Sequence, residues 1–427
     1  MTKFHIITAG CSHNFADSEQ MAGLLKESKF EPVDNLEEAD VIIFNTCTVK
    51  GPTEAVFYKK LNEIKAEHQY KVIIIAGCIA QTDPEKLKKY PLIGTNQIHK
   101  IVEVIEEALN DNTIKMLEMG EMPPLNLPSI RKNPIIEIIP ISRGCLGACT
   151  FCKTKSARGN LKSYTVAEIV ERTRKAVEEN VKEIWLTSQD NGCYGFDIGT
   201  DLPTLLQELI KITGRFKIRI GMMNPDHIPK IREKLIEVYQ HEKIFKFLHL
   251  PIQSGNDQIL EKMQRKHKVA EFKEHIRLFR EAVPYINIMT DIIVGFPGET
   301  EEQYWDTLNL VRETTPDSIN ISRFWPRPKT PAAKLKSLPG EVIKHRSKVL
   351  TDIFNNITKM QNEKWLDWEG PIIIDEKGKP LTEENQWIGR NKFYKQVIVG
   401  GDFKLGDLIK VKIKKVGEFY LKGEIVS

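Results

Sequence analysis

The residues with the densest chemistry in this chain are cysteines. Cys145, Cys149 and Cys152 fall in one short loop, CLGACTFCKTKSARG, with the spacing C-x3-C-x2-C. A disulfide takes two sulfurs and a structural zinc takes four ligands, so three clustered thiols suit neither. Three thiolates can hold three irons of a [4Fe–4S] cube and leave the fourth open to a small molecule. A zinc knuckle lacking its fourth ligand, or surface thiols without function, are the other readings of the loop. Three more cysteines stand in equivalent places: Cys11 ends FHIITAGC, Cys47 ends VIIFNTC and Cys78 ends VIIIAGC. Each follows an apolar run that reads as a buried strand. Loops at the C-terminal ends of parallel strands converge on one rim, so a second triad is expected there. Cys193 has no partner in either set and is read as a bystander near the barrel rim.

The elements that must position these thiols fall into three segments, which makes the fold class α/β multidomain. Residues 1–112 alternate apolar runs (4–10, 41–46 and 72–77) with helical patterns such as DSEQMAGLLKE, as an open parallel α/β sheet does. The next stretch, NTIKMLEMGEMPPLNLPSIRKNP, has four prolines and little periodicity and reads as a linker. Residues 134–340 hold six strand candidates, at 135–142, 181–188, 216–223, 246–252, 286–295 and 318–324, with amphipathic helices between them. Six such units predict a partial (βα)6 barrel, because a full eight-fold barrel needs more chain. Cys145 then follows the first barrel strand, on the rim where such barrels place chemistry. A Lys-rich helix over roughly 341–366 comes next. Residues 368–427 turn to short alternating strands with glycine-containing turns, a small β-barrel of oligonucleotide-binding type.

Bulk properties narrow the setting. At 427 residues the chain exceeds one ordinary core. No apolar run is long enough for a membrane span, and the first residues lack a signal-peptide pattern, so a cytoplasmic location is expected. In that compartment seven cysteines point to metal or catalysis rather than disulfides. The net charge of +4 suggests nucleic acid only weakly. Within 371–427, 11 Lys and Arg face 8 Asp and Glu, concentrated in IKVKIKK, which fits an RNA surface or a solvated face.

Cys145, Cys149, Phe151 and Cys152, as C-x3-C-x-aromatic-C, resemble the signature of the radical S-adenosylmethionine (SAM) superfamily. The resemblance implies that SAM chelates the open iron and is cleaved to methionine and a 5′-deoxyadenosyl radical. By superfamily position, Ser188, Gln189 and Asp190 of LTSQD sit where the SAM amino group is met. Gln253 and Ser254 of HLPIQSG and Gly295 of DIIVGFPGE sit where ribose and adenine are met. GCSHNFADSE (10–19), NTCTV (45–49) and GCIAQ (77–81), followed by such a barrel and a TRAM β-barrel, are similar to the methylthiotransferases over essentially the whole chain. That family implies two [4Fe–4S] clusters. Cys145, Cys149 and Cys152 would hold the radical generator, and Cys11, Cys47 and Cys78 an auxiliary cluster that carries sulfur. SAM would serve as both methyl donor and radical source.

CKTKSARGNLKSY (152–164), LTSQDNGCYG and FWPRPKTPAAK resemble the archaeal and eukaryotic threonylcarbamoyladenosine branch. The isopentenyladenosine branch usually carries Val–Pro where this chain has Lys153–Thr154, and Arg where it has Tyr164. The implied target is C2 of N6-threonylcarbamoyladenosine at position 37, beside the tRNA anticodon. Lys155, Arg158, Arg323, Arg327 and Lys329 are expected to meet RNA phosphate or the threonyl carboxylate, with the TRAM barrel as RNA clamp. An electron donor is implied as a further partner. The alternatives are an isopentenyladenosine or ribosomal-protein methylthiotransferase, or an iron–sulfur RNA-binding or redox-sensing protein without turnover. The barrel strands and SAM-type motifs weigh against the last.

Overall fold

The computed structural model describes residues 1–48, 51–378 and 385–426, so Val49 of the NTCTV motif lies outside the described residues. Strands β1 (Lys3–Thr8), β2 (Glu31–Pro32), β3 (Val41–Thr46), β4 (Val72–Gly77), β5 (Leu92–Ile93) and β6 (Lys115–Met116) form a parallel sheet ordered β2-β1-β3-β4-β5-β6. Every residue of β3 is buried: Val41 and Ile43 join one apolar cluster, Ile42 and Phe44 another. The first cluster is completed by helices Ser12–Glu27 and Ile101–Leu109, the second by helix Gly51–Glu67. Cover on both faces is why these strands read as unbroken apolar runs rather than alternating ones.

The stretch expected as a linker is a strap. It carries β6, and Leu125 beyond it lies in the barrel's core cluster. Gln20 Nε2 donates to Leu125 O at 2.9 Å and Tyr164 Oη donates to Pro123 O at 2.7 Å. The prolines remove periodicity here without loosening the chain.

Strand β7 (Ile136–Pro140) opens the barrel, and β8 (Ser142–Arg143) pairs antiparallel with β9 (Lys162–Ser163). Strands β10 (Glu183–Thr187), β11 (Lys217–Ile220), β12 (Phe247–His249), β13 (Asn287–Val294) and β14 (Ser318–Arg323) complete it. Two parallel sheets, β11-β10-β7 and β12-β13-β14, are joined by a bridge between Ile218 and Ile244. All six barrel strands fall where the sequence pattern puts them. Capping boxes at Thr165 and Thr300 start two of the helices between them.

Strands β15 (Glu369–Lys377), β16 (Gln386–Asn391), β17 (Gln396–Gly400), β18 (Leu408–Val416) and β19 (Leu421–Ile425) close into a barrel in the order β15-β16-β17-β19-β18. In β18, Val411 and Ile413 point into the core, and Lys410 and Lys412 pair with Glu369 and Asp367 at 2.5 and 3.3 Å. Lys414, Lys415 and Lys422 are exposed.

This small barrel seats on the N-terminal ends of the central strands. Lys246 N–H donates to Lys392 O at 2.8 Å, Asn287 Nδ2 donates to Phe393 O at 3.1 Å, and Tyr394 packs among Trp185, Phe245 and Phe247. The opposite end, where the strands finish, faces the N-terminal sheet across a seam. Among the described residues, no helix is long and apolar enough to cross a membrane.

Candidate active site at the domain seam

Cys11, Cys47 and Cys78 follow β1, β3 and β4, three neighbouring strands, so the sheet itself gathers them. An amide web ties their loops together. Asn45 Nδ2 donates to Asn14 O (2.7 Å) and Ser18 Oγ (2.9 Å), while Asn14 Nδ2 donates to Asn45 Oδ1 (3.2 Å) and Thr46 O (3.0 Å). Cys11 Sγ donates to Asn14 Oδ1 at 3.4 Å, and Thr46 Oγ1 takes the Ile79 N–H at 3.1 Å. Gly77 turns the chain into Cys78 at φ +84°, and a side chain there would run into Asn45 and the Thr46 carbonyl. Only glycine takes that conformation without strain.

Cys145, Cys149 and Cys152 sit in the loop between β8 and β9, whose pairing closes its two ends. The sulfurs of Cys145 and Cys149 both lie within 4 Å of the place a Gly147 side chain would occupy. Gly147 N–H donates to Cys145 Sγ at 3.1 Å, and Arg265 Nη1 lies 3.6 Å from Cys149 Sγ. Burial, with Asp190 adding to it, pushes the Cys145 thiol up to about 12. Burial also raises Cys149, against the pull of Arg265. The short N–H and the guanidinium are the groups that favour thiolates here.

The two rims meet through buried polar contacts. Arg143 donates from Nη2 to Asp17 Oδ1 (2.7 Å) and from Nη1 to Thr95 O (2.7 Å), and Arg158 Nη2 lies 2.8 Å from Asp17 Oδ2. Lys153 pairs with Asp83. Gln189 spans the gap: its Oε1 accepts the Gly144 N–H at 2.7 Å, and its Nε2 donates to His13 Nδ1 at 3.1 Å. Burial, then Arg158 and Arg143, hold His13 well below the usual imidazole range, so its ring is a neutral acceptor. Gly144 precedes Cys145 and His13 follows Cys11 by two, so one side chain links the two triads.

The donor sets fit iron–sulfur clusters better than single zinc ions. Four sulfurs around one tetrahedral zinc stand about 3.8 Å apart. Among the described residues, neither triad brings all three sulfurs within 4.8 Å of one another; Asp190, Cys193 and His227 are the trio that does bring its ligand atoms that close. A cube spreads its thiolates wider than one ion does. Cations beside both triads, a half-buried Arg265 at one and a buried Arg158 at the other, suit an anionic occupant.

Several residues expected to touch RNA are occupied elsewhere. Arg158 is 2% exposed and paired with Asp17, so it cannot meet phosphate at the surface. Arg327 is buried: Nη2 donates to the Thr48 carbonyl and to Thr48 Oγ1 (2.9 Å), with Glu54 at 3.5 Å, bracing the Cys47 loop. Lys155 Nζ donates to Gly147 O at 2.9 Å, inside the Cys145 loop, and Lys329 Nζ donates to Thr82 O at 3.2 Å. Arg323 is exposed on the last barrel strand.

The expected SAM contacts also divide. Asp190 is buried, with Oδ1 accepting the N–H groups of Gly192 and Asn224 at 2.9 Å each, which orders the turn after β10, while His227 Nε2 lies 3.4 Å from Oδ2. Ser188 Oγ accepts the Asp190 N–H at 3.1 Å. Gln253 has φ +73° and Ser254 is buried beside it. A non-glycine residue held left-handed beside the barrel rim is the kind of strain that functional sites keep. Gly295 (φ +77°) is required by packing, since a side chain would strike Ile343 at 2.6 Å. Phe151 packs in a small cluster with Ile259, Met263 and Phe296. Cys193 is buried, and its Sγ donates to Asp190 O at 3.3 Å. Sequence reasoning missed His13, Asp17, Arg143 and Arg265; His13 and Asp17 stand within the GCSHNFADSE motif and Arg143 two residues before Cys145, whereas Arg265 carried no local signal.

The sequence matches three family models in chain order: the uncharacterized protein family UPF0004 over residues 3–94, the radical SAM superfamily over 139–311 and the TRAM domain over 371–426. It is 41% identical to the mouse (Mus musculus) threonylcarbamoyladenosine tRNA methylthiotransferase, covering all of this chain and 74% of that protein. It is 39% identical to the probable threonylcarbamoyladenosine tRNA methylthiotransferase of Pyrococcus horikoshii, with both chains fully covered. Among solved structures, the radical SAM methyltransferase TsrM from Kitasatospora setae superimposes with a TM-score of 0.57 at 12% identity, over 78% of this chain and 75% of that one, a likeness of fold.

Proposed function

The chain belongs to the threonylcarbamoyladenosine tRNA methylthiotransferase family, and on that premise we propose that it adds a methylthio group to C2 of N6-threonylcarbamoyladenosine at tRNA position 37. Identity of 39–41% over the whole of this chain, with the three domains in one order, carries this reading. Two [4Fe–4S] clusters and SAM are its cofactors. Cys145, Cys149 and Cys152 hold one cluster, and Cys11, Cys47 and Cys78 the other. When bound, these groups supply the electron that cleaves SAM and the sulfur that is transferred.

The chain's own residues bind, orient and shield. Gly147 N–H and Arg265 favour the thiolates of Cys145 and Cys149 against the burial that opposes ionisation. Ser188, Gln189, Gln253 and Ser254 line the SAM side of the rim, with Phe151 packing behind the loop. Asp190 and Gly295 act by shaping the turns. Facing rims support a single base meeting both triads, which requires an unstacked base from a single-stranded loop. Arg323 is the exposed arginine suited to the threonyl carboxylate. The small barrel sits on the far end of the central strands, so Lys414, Lys415 and Lys422 would hold tRNA away from the reacting base.

Expression in a strain lacking its own such enzyme, followed by nucleoside mass spectrometry of bulk tRNA, tests the substrate. The expected product is the 2-methylthio derivative of threonylcarbamoyladenosine. Methylthiolated isopentenyladenosine, or a modified ribosomal aspartate, in its place would overturn the proposal.

A further inference from the structure

The seam buries two arginines against a single carboxylate. Arg143, Arg158 and Asp17 are each no more than 2% exposed, and one carboxylate serves two guanidinium groups. Neighbouring pairs balance: Lys153 with Asp83, and Arg327 with Glu54. His13, neutral or charged, brings no negative charge. One positive charge is therefore uncompensated among buried groups, an arrangement that is costly unless an anion joins it. Arg143 is fully engaged by Asp17, Thr95 and Tyr164. Arg158 is less fully met: its protein partner is the Asp17 Oδ2 ion pair at 2.8 Å, and neither Nη1 nor Nη2 makes a hydrogen bond of good geometry. Arg158 ends helix Thr154–Arg158, which packs against helix Cys78–Thr82, so its guanidinium stands beside the thiol of Cys78, with Cys11 next.

We infer that Arg158 is the counter-ion and hydrogen-bond donor of the anionic group held by Cys11, Cys47 and Cys78, which couples filling of that triad to docking of the N-terminal domain. The inference rests on the two-cluster reading above. A cube with a 2+ core and three thiolates carries one net negative charge, the charge the seam lacks. Arg158 thus serves as a positioning residue for the cluster, where the sequence alone suggests an RNA contact.

The test uses the full chain with Cys145, Cys149 and Cys152 replaced by alanine, so that only the second triad reports. After anaerobic reconstitution with iron and sulfide it is expected to hold about four irons per chain. Adding Arg158→Gln should lower the cluster's midpoint potential in an EPR-monitored titration, since a neighbouring cation favours the more anionic reduced state. Arg158→Lys should restore most of the shift. Loss of iron in Arg158→Gln, regained in Arg158→Lys, is the same result in stronger form. In metal-free protein, Arg158→Gln should leave the melting temperature unchanged or raised, whereas a merely packed arginine would lower it with and without iron. A potential indifferent to Arg158→Gln, or a metal-free chain destabilised by it, overturns the inference and leaves the two-cluster reading intact. A parent chain that binds no iron overturns both.

Discussion

The two cysteine triads reach one seam by opposite routes. Cys145, Cys149 and Cys152 come from a single loop closed by β8 and β9, clamped from within by Lys155 on Gly147 and from outside by Arg265 and Gln189. Cys11, Cys47 and Cys78 come from three strand ends and meet only because β1, β3 and β4 are neighbours in register. The local triad owes its geometry to short-range turns, the distributed one to a sheet, an amide web and the docking of two domains. Damage to the N-terminal sheet should therefore cost one triad and spare the other.

The largest effect should come from the ligands themselves. Cys149→Ala is expected to abolish both reductive cleavage of SAM and tRNA methylthiolation. Cys47→Ala should abolish methylthiolation while 5′-deoxyadenosine is still released, as read by chromatography of the reaction. Equal loss of SAM cleavage in both variants would break the division between the triads. Gly77→Ala comes next. It forces a left-handed position and a clash at Asn45, costing about 1–3 kcal/mol. Thermal unfolding should show the loss, and the iron lost should be that of the distributed triad alone.

The smallest effect concerns the strap. Glu19 Oε1 accepts the Lys132 N–H at 3.0 Å, and burial raises Glu19 from 4.5 to about 7. The folded state favours the protonated form, so its contribution is complete below about 4.5 and is lost as pH rises through about 7. Glu19→Gln should flatten the fall of melting temperature across that window by a few degrees at most. An unchanged pH profile would remove Glu19 from the docking contacts.

Much of this organisation is legible in the chain. The strands that carry Cys11, Cys47 and Cys78 are apolar runs because both faces of the sheet are covered, and the barrel strands recur with helices between them. Two-residue strands such as β2, β5 and β6 are too short to leave a period, and the prolines near Leu125 resemble slack chain although Leu125 is core. The seam is illegible for a different reason. A charged residue in sequence does not say which way it points, so Arg158 and Arg327 read as RNA contacts. Their partners, Asp17 and Thr48, lie 141 and 279 positions away, and only the folded rims bring them together.

Iron content after anaerobic reconstitution tests the two-triad account most directly. The intact chain should hold about eight irons, falling to about four when either Cys11, Cys47 and Cys78 or Cys145, Cys149 and Cys152 are replaced by alanine. Addition of SAM should change the EPR spectrum only of the variant that keeps Cys145, Cys149 and Cys152. About four irons in the intact chain, unchanged when Cys11, Cys47 and Cys78 are removed, would contradict the account.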